Sequence, residues 1–567
     1  MYYRKESRFI LLFFCILMVF LFLEGRLAYL QLARGEELTL KAVEQRIISY
    51  QIGNFFRGDI EDLKGRSLLD YQTVYRMVVF PSLVSDPKEC CQQLRSVLSK
   101  DDAQKLAADF EAELKKGTPF VPDITLTESE AKKILSQQIP GVYSFSYQQR
   151  HSSTALAKHI VGYTSGSIFQ QEPEEGKSGI EKYYNKELSP AEPTLELAVV
   201  VDRRGQPIPG RKLLLRGDKG IATRGNDVVL TLDLNVQQVV EEVLDEKAVK
   251  GAAVVIDIPT GEVRAIASRP SYSYNKDGLS GEEINRSTEL YHPGSIFKIV
   301  VAAAALAEGV VTPEETFTCE GKYRFASGES ISCWKEEGHG GISFREAFAN
   351  SCNQVFVEVA LRLGRERLED YAKQLGLTKP VIGYEGPTTP GGIVKIGEYA
   401  GQLGNAALGQ EGVLISPVNL AVLAATVARD GEYLQPSLVK KICDVNGETV
   451  REISRPVPVR VLPESVAREL QIMMELTVKE GTGKKADIPV LGSAGKTGSA
   501  ETGEKDETGQ PVNNAWFVGY APLDQPQLAI AVFVEKGGSG GESAATVFKE
   551  IIAALQQTKI QPLSSEE

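Results

Sequence analysis

The distribution of apolar and polar positions divides the chain into three stretches of different character. Residues 9–23, FILLFFCILMVFLFL, are uncharged throughout and follow Arg4, Lys5 and Arg8. At about 1.5 Å rise per residue this run is short for a hydrocarbon core of about 30 Å, so the helix is expected to continue through Leu32, with Arg8, Glu24 and Arg26 near the interfaces. No small-x-small site follows the run, and Gln31 and Arg34 stand where small or neutral residues would be needed. An uncleaved anchor therefore fits better than a signal peptide. Basic residues before it and Glu24, Glu36 and Glu37 after it predict a cytoplasmic N-terminus, with the remaining chain outside.

Between the anchor and residue 226 the pattern is mixed. Residues 36–46 read as helix, 47–56 as extended chain and 57–69, RGDIEDLKGRSLL, as a turn-rich segment. Helical periodicity with many charged positions returns at 86–116 and 127–137, which suits an exposed bundle flanking a small sheet. Residues 179–188 are again helical. The Pro-, Gly- and Arg-rich 189–226 read as extended connecting arms, with a domain boundary near Asn226.

From Asp227 the signals sharpen. A strand is predicted at 228–232, a helix at 235–249 and a hairpin from 251–258 and 262–267, turned at Pro259 to Gly261. Helices follow at 295–308, 343–363, 417–428 and 463–479, and Ser343-x-x-Glu346 is a capping box that sets the start of the second of these. Strands at 495–502, 515–521 and 528–535 and a last helix at 544–555 close the pattern. Strand, helix and strand, then a helical middle, then strands and a helix imply an α/β sheet with helices on both faces.

Composition changes this picture little. The chain has 567 residues, 42% hydrophobic and 24% charged, with a net charge of -12. That is an ordinary globular balance, and it argues against nucleic acid, which needs a basic face. Cys319, Cys333, His339 and Cys352 approach a constellation, but no C-x-x-C is present and the chain holds only 4 histidines. No metal is expected on those spacings; a Cys319 to Cys333 disulfide fits better, with unpaired buried thiols as the alternative. His151 and His159 have no metal-spaced partner and read as structural.

Candidate chemistry centres on residues 291–309, YHPGSIFKIVVAAAALAEG. A Pro-Gly turn, a serine and a run of helix formers closed by Gly309 predict a helix starting near Ser295, with Lys298 one turn on. The spacing alone has no weight, because Ser85, Ser129, Ser273, Ser332, Ser437 and Ser493 also have lysine at i+3. Other motifs fail on context. GGSGG at 537–541 fits a nucleophile elbow, but that fold needs a histidine after the serine and the last one is His339. Gly495-Lys496-Thr497 lacks the glycine of a phosphate loop, Val490 standing in its place. His292 is near Ser295 but has no orienting acid, so lysine is the better base.

Three elements then stand in order: Ser295-x-x-Lys298, Ser351-Cys352-Asn353 and Lys496-Thr497-Gly498. Each occurs elsewhere singly, as at Ser273-Tyr274-Asn275 and Lys177-Ser178-Gly179. Together, on a helix start, a helical region and a strand, the chain resembles the penicillin-recognising serine acyl transferases. VIDIPTGEVRAIASRPSYSYN at 255–275, Asn285-Arg286, GHG at 338–340, ALGQEGVLISPVNLA at 407–421, GKTGSAET and NAWFVGYAP narrow the resemblance to the transpeptidase domain of class B penicillin-binding proteins. The anchor, RGDIEDLKGRSLL and GIEKYYNKEL resemble the N-terminal pedestal of that class. Cys352 as the middle residue of the second motif is a departure.

The resemblance implies an antiparallel sheet with helices on both faces, carried on an elongated α+β pedestal and one transmembrane helix. The implied division is a cytoplasmic tip at 1–8, an anchor at 9–32, a pedestal or dimerisation domain at 33–226, a transpeptidase domain at 227–557 and a polar tail at 558–567. Ser295 would attack a D-Ala-D-Ala stem peptide with Lys298 as base, activated by burial and by the nearby cation Lys496. Ser351 would relay the proton to the leaving amine, and Asn353 would hold peptide amides. Lys496, Thr497 and Gly498 would bind the terminal carboxylate, and the backbone N–H groups of Ser295 and Ser499 would form an oxyanion hole. An acceptor amine resolves the acyl-enzyme, β-lactams acylate the same serine, and no cofactor is required. A separate SEDS-type glycosyltransferase is the implied partner. A D,D-carboxypeptidase, a β-lactam sensor and a scaffold that activates such a polymerase are the alternatives.

Overall fold

The computed structural model describes residues 3–34, 47–53, 57–150, 155–165, 174–190, 195–200, 214–217, 224–247, 250–275, 278–280, 284–380 and 391–558. The helix expected at 36–46, His151 and the tail from 559 lie outside the described residues. Tyr3–Ala28 is one α-helix, continued by a π-helical turn over Tyr29–Ala33. Within it, Ile10–Leu32 is long and apolar enough to cross a membrane, and it is not buried within the protein.

The bundle flanking a small sheet is found as expected. Strands Gln72–Val79 and Val142–Gln149 pair antiparallel along their whole length. Helices Pro87–Val97, Lys100–Lys116 and Glu128–Gln137 pack on them and bury Met77, Val79, Leu94, Leu106, Phe110 and Ile134. Their starts follow from capping. The Asp86 carboxylate accepts the N–H groups of Lys88 and Glu89, and Thr127 forms a reciprocal capping box with Glu130. The arms form a three-stranded antiparallel sheet of Ile47–Gly53, Leu195–Val200 and Leu214–Gly217.

The turn-rich segment at 57–69 has a larger role than its composition suggested. Arg57 is buried and places Nε and Nη2 3.0 and 2.9 Å from Glu181 Oε2. Arg150 holds the other oxygen of Glu181 at 2.6 Å. Ile60–Glu61 then pairs parallel with Asp227–Leu230, which pairs antiparallel with Val439–Cys443. One sheet therefore joins the N-terminal half to the C-terminal half. Arg66 bridges Asp62 at 2.6 Å and Asp233 at 3.1 Å across the same junction.

The C-terminal half is built on a five-stranded antiparallel sheet. Its strands are β1 (Gly251–Asp257), β2 (Val263–Arg269), β3 (Ala494–Lys505), β4 (Pro511–Ala521) and β5 (Leu528–Val534), in the spatial order β2-β1-β5-β4-β3. Every residue of β1, β2 and β5 is buried; β5 and β1 up to Ile256 are continuous apolar runs, whereas β2 also buries Arg264, Ser268 and Arg269. Alternate residues face opposite layers. Ala253, Val255, Phe517, Ile530 and Val532 meet α1 (Leu234–Glu246) and the C-terminal helix Ala544–Gln557. Val254, Ile256, Trp516, Val518 and Phe533 meet the central helices.

Those helices are α2 (Lys298–Ala307), α3 (Phe344–Ala349), α4 (Asn353–Leu363), α5 (Pro417–Ala428) and α6 (Glu464–Lys479). Helices α2 and α5 are apolar nearly all round because they are enclosed on all sides. The single helix expected over 343–363 is in fact two. The Ser343 to Glu346 capping box starts α3 as predicted, but the chain turns at Asn350 to Cys352, where Ser351 has φ 54°, and α4 starts at Asn353. Periodicity continues across the break, so the pattern alone did not reveal it.

Candidate active site

Ser295 lies on a 3₁₀ turn, Gly294–Phe297, that leads into α2 at Lys298. The predicted α-helical start is thus shifted by one turn. Three residues per turn bring positions i and i+3 into register, so Ser295 and Lys298 still share a face. The turn packs directly on β3, the edge strand of the sheet. Gly294 has φ 58°, and a Cβ there would lie 2.5 Å from the Ser499 carbonyl oxygen. A Cβ on Gly498 would lie 2.7 Å from the Pro293 carbonyl oxygen. Both glycines are needed because backbone meets backbone here.

The break between α3 and α4 brings the second motif to the same place. Lys298 is fully buried and donates to the Ser351 carbonyl at 2.8 Å, the Ser351 hydroxyl at 3.2 Å and Asn353 Oδ1 at 2.8 Å. Lys496, also fully buried, reaches the Ser351 hydroxyl from β3 at 2.9 Å and the Thr497 carbonyl at 3.1 Å. Three elements separated by 53 and 145 residues thus meet at one hydroxyl. The positive φ of Ser351 belongs to the left-handed C-cap of α3, where the Ser351 and Cys352 N–H groups donate back to the Phe348 and Ala347 carbonyls at 3.0 and 2.8 Å.

Electrostatics set the protonation. Burial pushes the Lys298 ammonium down to about 7. Burial, followed by repulsion from Lys298, pushes Lys496 well below the usual lysine range. The second-cation effect expected on Lys298 is therefore found on Lys496. Two ammonium groups sharing one hydroxyl in a desolvated site cannot both hold their protons easily.

Above them lies a cleft of about 360 Å³, lined by Ser295, Ser351, Asn353, Thr497 and Ser499. Trp334, Thr482 and Glu542 also line it and were not singled out from sequence, and Ser539, set aside there as a nucleophile, lines it too. Thr482 lies between two glycines, and its hydroxyl is 2.6 Å from that of Thr497. Ser539 belongs to the GGSGG stretch, whose Gly540 N–H donates to the Ser499 hydroxyl at 3.2 Å. His292 turns its ring to the Val413 carbonyl at 2.7 Å, which fits a structural role. His159 packs edge-on against Tyr272.

Cys319 and Cys333 are free thiols, so the pairing expected from the sequence is not formed. Both sulfurs instead lie with Cys352 and His339 in one cluster beneath the second motif.

A serine on a turn, a buried lysine on the same face and a second serine held between two lysines define an acyl-transfer centre of the penicillin-recognising serine class. Residues 251–553 match the penicillin binding protein transpeptidase domain, and residues 55–230 match the penicillin-binding protein dimerisation domain. The chain belongs to the penicillin-binding protein transpeptidase family, and the two domains together with the apolar N-terminal helix make it a membrane-anchored class B member. Stage V sporulation protein D of Bacillus subtilis is 29% identical over 580 residues, covering 99% of this chain and 86% of the relative. Peptidoglycan D,D-transpeptidase MrdA of Acinetobacter baumannii is 26% identical, covering 93% and 84%. Peptidoglycan D,D-transpeptidase PbpA of Mycolicibacterium smegmatis is 30% identical, covering 58% and 72%.

Proposed function

We propose that this transpeptidase cross-links peptidoglycan stem peptides through an acyl-enzyme on Ser295. The observation that carries the reading is the Ser351 hydroxyl held between Lys298 and Lys496 at the floor of the cleft that contains Ser295. Neutral Lys298 accepts the Ser295 proton as Oγ attacks the penultimate D-Ala carbonyl. The backbone N–H groups of Ser295 and Ser499 stabilise the oxyanion. Ser351 passes a proton to the departing D-Ala amine, and Asn353 orients the peptide. The terminal carboxylate is bound by Thr497, Gly498 and Lys496, and its charge favours the protonated form of Lys496 while Lys298 remains neutral. An acceptor amine then attacks the ester and releases Ser295. A β-lactam acylates the same oxygen.

The proposed division is a tip at 1–8, an anchor at 9–32, a pedestal at 33–226, a catalytic domain at 227–557 and a tail at 558–567. The N-terminus is cytoplasmic and the cleft faces the wall, where a SEDS-type glycosyltransferase supplies the glycan strands. The test is to label the purified protein with a β-lactam and locate the adduct by mass spectrometry, in parallel with D-Ala release from a stem peptide with and without acceptor amine. An adduct on the Ser295 peptide, lost in Ser295→Ala, and acceptor-dependent product are expected. An adduct that persists in Ser295→Ala refutes the nucleophile, and release indifferent to acceptor refutes transfer.

A further inference from the structure

Ten described residues line the cleft, and nine of them are uncharged; Glu542 is the exception. Backbone packing fixes where its carboxylate stands. Gly540 lies so close to β3 that a Cβ on it would come within 2.3 Å of the Gly498 carbonyl oxygen, and one on Gly541 would come within 2.4 Å of the Thr482 carbonyl oxygen. The Gly540 N–H also donates to the Ser499 hydroxyl at 3.2 Å. The segment from Ser539 to Glu542 therefore flanks the paired hydroxyls of Thr482 and Thr497, at the end of the cleft where the proposed function puts the donor's terminal carboxylate.

The ion pair that Glu542 makes does not commit it. Its partner is Lys485, and the side chains of Lys485 and Glu542 are 51% and 67% exposed. A pair this open to water is worth little and exchanges readily. The carboxylate is thus free to leave Lys485 for a cation that enters the cleft. The two substrates differ in the charge they bring to this end. The donor ends in a carboxylate, which a like charge repels, and the D-Ala that leaves still carries it. The acceptor brings a primary amine, which is an ammonium ion at neutral pH and is attracted. By microscopic reversibility its nitrogen attacks the ester from the side that the D-Ala nitrogen left, which is the side of Glu542.

We propose that Glu542 is the acceptor-recognition residue of this enzyme, receiving the ammonium group of the incoming stem peptide at the leaving-group end of the cleft. The inference rests on the transpeptidase reading and deepens it. Glu542 holds the amine and takes no proton from it. The ammonium releases one proton to solvent, the neutral nitrogen forms the amide bond as the bond between the acyl carbon and Ser295 Oγ breaks, and one N–H proton ends on Oγ. The same carboxylate disfavours the return of D-Ala, so it biases the acyl-enzyme towards transfer.

The test is transfer from a D-Ala-D-Ala pentapeptide to a stem peptide with a free side-chain amine, followed against acceptor concentration. It uses the full-length, detergent-solubilised protein and its Glu542→Gln, Glu542→Lys and Glu542→Asp variants. The KM for acceptor should rise about fivefold in Glu542→Gln, the upper end for a partly exposed ion pair, rise further in Glu542→Lys and return towards the parent's in Glu542→Asp. Acylation by a carboxylate-bearing β-lactam should become faster in the Gln and Lys variants, because a like charge has been removed. A purely structural role would slow both reactions together. In the parent itself, added salt should raise the KM for acceptor, a measurement that stands even if a variant does not fold. An unchanged KM for acceptor in Glu542→Gln, a parent KM indifferent to salt, or parallel loss of acylation and transfer overturns the proposal. A parent that acylates but forms no acceptor-dependent product refutes transfer itself, and the proposal with it.

Discussion

The Ser351 hydroxyl is 3.2 Å from Lys298 Nζ and 2.9 Å from Lys496 Nζ, so one small side chain separates two buried amines. Replacing it removes a proton relay and leaves both amines short of a partner. Ser351→Ala is expected to slow β-lactam acylation by about 10²–10⁴-fold, the range for a positioned proton-transfer group. Stopped-flow acylation with a chromogenic β-lactam measures this. A rate within threefold of the parent's would contradict the relay.

The pH profile tests Lys298. Its ammonium form cannot take a proton, so the acylation rate should rise about tenfold per pH unit below the apparent pKa and level off above it. That pKa is about 7, set by burial. The stability effect has a definite sign. Between about 7 and the ordinary value of 10.5, the unfolded chain binds a proton at Lys298 that the folded chain has released. Folding stability from this group therefore rises with pH across that window, and below it the cost of burying the charge is fully present. Lys298→Met should abolish acylation and raise the melting temperature more near pH 6 than near pH 10. An equal shift at both values would refute the assignment.

Gly294 tests the contact between the turn and the edge strand. Its φ of 58° and a would-be Cβ at 2.5 Å from the Ser499 carbonyl oxygen leave no room for a side chain. Gly294→Ala should push Ser295 away from Ser499, and displacements of about 1 Å cost on the order of a hundredfold in rate. The second-order acylation constant of the variant, with circular dichroism to confirm folding, gives the answer.

Far from the cleft, Glu181 is fully buried and holds both Arg57 and Arg150. Glu181→Ala leaves two buried cations without their shared anion, a loss of about 3–5 kcal/mol. Limited proteolysis should cut the N-terminal half of this variant faster while β-lactam labelling of the C-terminal half persists. Equal proteolysis of variant and parent would show that the triad contributes nothing to the stability of that half.

Most of the catalytic half was legible because its signals are local. The capping box of Ser343 and Glu346, the bounds of α5 and the strand runs of β1, β4 and β5 follow from period and caps. The break at Ser351 was not legible, because the left-handed residue that closes α3 is a serine rather than the glycine or asparagine that usually marks such a cap, and the apolar period runs on across it. Distance along the chain hid the convergence of Cys319, Cys333, His339 and Cys352, and the junction through Ile60–Glu61. Thr482 was missed because a glycine-flanked loop in the cleft wall has no periodic pattern, and Ser539 was weighed only as a nucleophile, not as part of that wall.

The strand order also sets a schedule for folding. Strand β5 is the last of the five in the chain, yet it lies between β1 and β4 in space. While the chain emerges, β1 and β2 can pair as a hairpin, but the apolar edge of β1 stays open until β5 arrives some 270 residues later, as the register Asp257 to Leu528 requires. The nucleophile turn and the Lys496 strand cannot be held in mutual position before that. The enzyme thus gains its reactive centre in a late, concerted step of folding, and until then an exposed strand edge is open to aggregation.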